Sequence, residues 1–217
     1  MKFNPIPLIT LSTLLSLFTQ AQNNPGYELM LKSGSFVPQR NITTEYLLRF
    51  NKDVARTGEK SFAILQFENI PSVDQRNQLK QAGIELLEYI PNNAYTVIIS
   101  KNLPIDVLQR AKARALIELS ADQKMQPQLS KGIFPASAVK VPGTLDVWVS
   151  FPRSISVEKV IAGLQQKNFD ILSDLYKEYR VISLRIAAMR LQELASLPFI
   201  DYVQAAKPED RIINHRS

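Results

Sequence analysis

The chain has 217 residues, 45% hydrophobic and 21% charged, with a net charge of +6 and no cysteine. These values fit a globular protein with one or two modest cores. They exclude a disordered or collagen-like chain, a disulfide framework, thiol chemistry and a cysteine-rich metal site. The single histidine, His215, lies two positions from the end, so a mechanism that needs a histidine held by a rigid scaffold has only that residue to use.

Residues 1–21 read as a signal peptide. Lys2 supplies a weak positive start, Leu8 to Phe18 form a short apolar core, and Thr19-Gln20-Ala21 places small residues for cleavage after Ala21. An apolar run of about 11 residues is too short to span roughly 30 Å of hydrocarbon. The expected product is secreted or periplasmic, without stable membrane insertion. Residues 22–60 read as a leader, mainly extended, with only Glu45 to Phe50 suggesting a strand or short helix.

From residue 61 the periodicity becomes regular. Ser61 to Phe67 alternates as a strand, Pro71 follows, and Ser72 starts a helix. Ser72 and Gln75 have capping-box spacing, and Gly83 suits the left-handed residue at the helix end. Ile84 to Ile90 is a second strand, Pro91-Asn92-Asn93 the turn, and Tyr95 to Ile99 a third strand. A second helix begins near Asn102 with Pro104 early in it and Ile105, Leu108, Ala111 and Ala115 as its stripe. Ile117 to Met125 is a weaker last strand, and the order is βαββαβ.

The order recurs about 84 residues later. Leu145 to Phe151 is the strand, with Phe151 matching Phe67, and Ser156-Val157 matches Ser72-Val73. Phe169 to Leu175 is the second strand, and Tyr179-Arg180-Val181-Ile182 matches Tyr95-Thr96-Val97-Ile98. Leu191, Leu194 and Ala195 mark the second helix, which Pro198 stops, and Ile200 to Val203 closes the unit. The fold expected is α+β, with two tandem ferredoxin-like units over 61–126 and 145–208, joined by a Pro- and Gly-bearing linker at 127–144. Each has a four-stranded antiparallel sheet with two helices on one face. Alternation places Phe62 with Ile64, and Val147 with Val149, against the helices. The other face is left for solvent or a partner.

The charge is spread in a way that argues against nucleic acid. Residues 61–126 carry seven basic and seven acidic groups, and residues 145–210 carry eight and nine. A phosphate-binding surface needs clustered positive charge. No catalytic, cofactor-binding or metal-ligand pattern is present. Glu85 and Glu88 lie three apart on a strand and point to opposite faces, so they make no acid–base pair. Trp148, the only tryptophan, lies opposite Val147 and Val149, where it meets a partner, the linker or the first unit. Asn41-Ile42-Thr43 matches the glycosylation sequon.

The run Phe67-Glu68-Asn69-Ile70-Pro71, continued by Gly83 to Tyr95, resembles the N-terminal prodomain of secreted bacterial subtilisin-like serine proteases of the fervidolysin type. Leu31 to Phe36 and Ile212 to Ser217 are similar to the segments flanking those prodomains. The resemblance implies a non-catalytic folding assistant and inhibitor without cofactor, whose partner is a subtilisin-like catalytic domain. It implies that residues 209–217 form a tail leading to a missing protease domain, with Ile212, Ile213, Asn214 and His215 as partner-binding residues. A truncated protease gene, a processed prosegment and a stand-alone inhibitor all fit. The alternative is an extracellular interaction or structural module with no protease partner.

Overall fold

The computed structural model describes residues 25–207. A short hairpin comes first, β1 (Leu29–Leu31) and β2 (Gly34–Phe36), followed by helix α1 (Thr44–Asp53). The first sheet unit is β3 (Ser61–Phe67), α2 (Val73–Gln81), β4 (Ile84–Ile90), β5 (Ala94–Ile99), α3 (Ile105–Arg110) and β6 (Ala113–Ile117). A short helix α4 (Pro127–Ser130) lies between the units. The second unit is β7 (Thr144–Ser150), α5 (Val157–Gln166), β8 (Asp170–Ser173), β9 (Val181–Ala187), α6 (Leu191–Ser196) and β10 (Tyr202–Ala205). The fold is mixed α+β with two four-stranded antiparallel sheets, ordered β4-β5-β3-β6 and β10-β7-β9-β8.

Local chemistry explains the corners. Ser72 accepts from the Gln75 N–H while the Gln75 side chain accepts from the Ser72 N–H, so the capping box forms at the start of α2. Gly83 ends that helix at φ +84°, and a Cβ there would meet Lys101 Cγ at 2.9 Å. Asn92 and Asn93 both have positive φ, the requirement of a tight turn whose twist matches that of the β4–β5 hairpin. The second expected helix is shorter than its apolar stripe suggests. It stops at Arg110, and Ala115 belongs to the next strand. That strand covers Ala113–Ile117 and not Ile117–Met125, because Lys112 turns the chain at φ +55° directly after α3.

The faces of the first sheet correct the alternation. Ala63, Leu65 and Phe67 pack against the helices with Leu47, Phe50, Leu79 and Leu108. Phe62 and Ile64 occupy the opposite face, where Ile64 meets Leu29 and Ala94 beneath the β1–β2 hairpin. Both faces of β3 are buried, so its sequence is apolar throughout and alternation cannot say which face holds the helices. In the second sheet Val147 and Val149 do face the helices, in a core with Val160, Leu164 and Leu194.

The leader is likewise more structured than an extended segment. Leu47 and Phe50 of α1 enter the first core, and Asn51 and Leu103 exchange two hydrogen bonds. Gln66, fully buried, donates to the carbonyls of Tyr27 and Asn92 and accepts from Arg114, whose guanidinium lies 4.2 Å from the Tyr27 ring centre. Asn92 donates to the Glu28 carbonyl. Beyond β6, Met125 and Leu129 sit in the second core, and the Gln126 N–H donates to the Val203 carbonyl. The hairpin reaches across as well: Ser33 donates to the Gln123 carbonyl, and Lys32 lies over the Tyr202 ring.

Candidate functional site

Among the described residues, the outer face of the second sheet is more open than that of the first, although the hairpin reaches its edge, where Lys32 lies over the Tyr202 ring. Along β7, Asp146, Trp148 and Ser150 alternate with the core residues and point outward. Register places Arg185, Ser183 and Val181 of β9 beside them, and Gln204 and Tyr202 of β10 on the other side. Trp148 is half-buried, and its ring centre lies 5.8 Å from that of Tyr176, tilted by 53°. The loop 174–180 carries three exposed apolar or aromatic side chains, Leu175 (82%), Tyr176 (52%) and Tyr179 (79%).

That loop is held in place. Arg180 adopts a left-handed conformation at φ +61°, and its guanidinium donates to the carbonyls of Ile155 and Arg153. Lys177 and Asp174 pair at 2.9 Å, and their hydrogen bond raises the lysine pKa and lowers the aspartate's. Exposed as they are, the pair adds little stability. At the far end of the face, Arg185 grips the buried Asp146 with two hydrogen bonds of 2.7 and 2.9 Å. This fork–fork geometry fixes both side chains, and the hydrogen bond raises the arginine pKa. The result is a surface on which the ion pair and Trp148 are successive outward positions of β7, with Ser183 across from Trp148 and Ser150 beyond it. Such a face offers contact area and hydrogen bonds to another protein.

A second group of charges lies where the units meet. Lys124 donates to the Leu197 carbonyl, and desolvation lowers its pKa. Asp201 keeps part of its surface open, but the protein around it desolvates the carboxyl and pushes its pKa up to about 6. Glu88 adds to that shift, while Lys124 and Lys32 oppose it.

Trp148 therefore stands on the outer face with its ring against Tyr176. Ile212, Ile213, Asn214 and His215 lie outside the described residues. Glu85 and Glu88 are exposed on edge strand β4, whose register shifts between Leu86 and Tyr89. The Asn41 side chain is engaged: its amide donates to the Leu116 carbonyl and its oxygen accepts from the Leu116 N–H. A glycan on that nitrogen would cost the first of these bonds. Among the described residues no group of three or more His, Cys, Asp or Glu is placed to hold a metal ion, and no helix is long and apolar enough to cross a membrane. Sequence reasoning missed Tyr176 and the Asp146–Arg185 pair. Both depend on the register between non-consecutive strands and a loop, for which the residue order carries no local signal.

Residues 30–120 match a family described as a domain of unknown function, DUF8729. The match starts inside the hairpin and ends just beyond β6, so it takes in the leader helix and the first sheet together. No curated protein and no solved structure matches the chain.

Proposed function

We propose that the chain is an exported, non-catalytic prosegment that assists the folding of a subtilisin-like serine protease and inhibits it, built on two ferredoxin-like units. The strand orders support the fold assignment: in each sheet the first and third strands are central and the second and fourth form the edges. The observation that carries the functional reading is the open part of the outer face of the second sheet among the described residues, where Trp148 packs on Tyr176 beside the Arg185–Asp146 pair. A rigid sheet face with aromatic anchors can dock on a catalytic domain. An extended segment that includes Ile212, Ile213, Asn214 and His215 then occupies the substrate cleft by main-chain pairing. Inhibition follows from occupancy and needs no chemistry from the prosegment.

The test is refolding of a subtilisin-like catalytic domain from the same source with and without this chain. Higher refolding yield and saturable inhibition of peptide hydrolysis are expected. Trp148→Ala and Tyr176→Ala should each weaken inhibition about 10-fold or more, as for an aromatic anchor. Deleting residues 209–217 should abolish inhibition and leave the melting temperature unchanged. No gain in yield and no inhibition at large excess would reject the proposal.

One observation favours the alternative, a stand-alone extracellular interaction module. The hairpin contacts both units through Leu29, Ser33 and Lys32, which ties them together without any partner.

A further inference from the structure

One end of the second sheet carries side chains that the docking face does not use. Three segments converge there: the loop before β7, the turn after β9 and the chain leaving β10. The Ala188 N–H donates to the Gly143 carbonyl, Thr144 pairs with Ala187, and the Ala206 N–H donates to the Asp146 carbonyl. The last turn of α5 lies at the same end, where Arg190 donates to the Lys167 carbonyl.

The loop 139–143 is fixed at both feet. Ala138 is fully buried on one side. On the other, Gly143 turns the chain at φ +78°, and the Thr144 N–H and hydroxyl both donate to the Val141 carbonyl. What the loop holds out is apolar, with Val139 39% and Val141 43% exposed. Met189, on the neighbouring turn, is 90% exposed, more than any other large apolar side chain among the described residues.

Single apolar side chains on a surface are ordinary, but these three share their end with a one-sided charge. Between Asp122 and Asp146 the chain has three lysines and no carboxylate. Lys140 and Lys207 are exposed here, and neither has an ion-pair partner among the described residues. The carboxylates nearby are taken up: Asp146 by Arg185, Glu193 by Arg190 with Lys167 beside it, and Asp122 by the Gln192 amide. Asp170 acts on Arg190 as well.

The layout favours lipid over protein. A partner protein binds through a contiguous, shape-matched face with hydrogen bonds. The apolar side chains here stand singly on separate loops. A phospholipid surface needs no shape match: it accepts apolar side chains among its headgroups and attracts lysines by its anionic charge.

We propose that this end of the second unit rests reversibly on an anionic phospholipid surface, with Val139, Val141 and Met189 among the headgroups and Lys140 and Lys207 against their charge. The contact is peripheral and spans nothing. The loop 174–180 follows β8 at the opposite end of the sheet, so lipid contact leaves its exposed side chains free.

The experiment is sedimentation of residues 22–217 with vesicles of phosphatidylcholine alone and of an equal mixture with phosphatidylglycerol. Residues 1–21 are left out because the apolar run from Leu8 to Phe18 would bind lipid by itself. Binding to the mixture should be about 10-fold tighter or more than to phosphatidylcholine, and added sodium chloride should weaken it. Lys140→Glu with Lys207→Glu should lower it by about 10-fold or more. Val141→Ser with Met189→Ser should lower it as well, an effect that adsorption by charge alone would not show. All four residues are exposed, so both double variants should melt with the wild type. No binding to the mixture, equal binding to both vesicles, or undiminished binding by either double variant overturns the proposal.

Discussion

The two sheets share a strand order but differ in what lies on the face away from the helices. In the first, Ile64 of β3 is 2% exposed beneath Leu29 of the hairpin. Its counterpart in the second is Trp148, half-buried with its ring against Tyr176. The turns differ in the same sense. Asn92 and Asn93 make a tight hairpin turn, with Asn92 bonded to the leader and Asn93 to Glu68, whereas residues 174–180 form a longer loop that displays Leu175, Tyr176 and Tyr179. The leader buries the outer face of the first sheet, and on the second it reaches the edge strand at Tyr202. One strand order can thus carry two different outer faces.

Matched truncations give the largest expected effect. Ile64→Ala should cost about 2–5 kcal/mol, because it leaves a cavity between the sheet and the hairpin. Leu65→Ala, on the helix side of the same strand, should fall in the same range. Trp148→Ala should cost clearly less in stability despite removing more atoms, since its ring is only half-buried and the site stays open to water. Urea denaturation of the three variants decides it. Equal losses at Ile64 and Trp148 would break the contrast between the faces.

How far the residues themselves reveal this contrast depends on the match used. Pairing Phe67 with Phe151 also pairs Ala63 and Leu65 with Val147 and Val149, and in the structure all of these face helices. Carried through consistently, that offset would have placed Ile64 on the outer face. The match of Tyr95 with Tyr179, by contrast, is not structural. Tyr95 is buried opposite Leu65, while the residue opposite Val149 is Ile182 and Tyr179 lies 79% exposed in the loop. The longer loop shifts the register, and a similarity of four residues does not reveal it. The helix caps and the antiparallel sheets were legible because short-range chemistry sets them. The hairpin cover and the Asp146–Arg185 pair were not, since each joins segments far apart in the chain.

The leader's hold on the first sheet sharpens the comparison at intermediate cost. Gln66 satisfies Tyr27, Asn92 and Arg114 at once, inside a site with no access to water. Gln66→Leu keeps the volume but strands those groups, and should cost about 1–3 kcal/mol. Amide hydrogen exchange should quicken in residues 27–36 more than in the second sheet. If both regions exchanged equally faster, the network would belong to the whole fold and not to the hairpin cover.

The smallest expected effect concerns acidity at the seam. Asp201 has a folded-state pKa of about 6, above the ordinary value of 3.8, with desolvation as the main cause. A raised folded pKa means that the native state binds the proton more tightly than the unfolded chain does. The stabilisation is therefore full below pH about 4 and is lost as pH rises through 6. Partial exposure of the side chain screens the effect, so the change should be about 1 kcal/mol or less. Asp201→Asn mimics the protonated form and should be more stable than the wild type at pH 7.5, with the two converging near pH 4. Thermal melts of both proteins across this range measure the difference. Its sign is informative beyond the one residue, because Asp201 feels Lys124 from the segment after β6, Lys32 from the hairpin and Glu88 from the first sheet. A wild type that gains on Asp201→Asn with rising pH would mean that the attraction of the lysines outweighs desolvation, and that the seam is wetter than its packing implies.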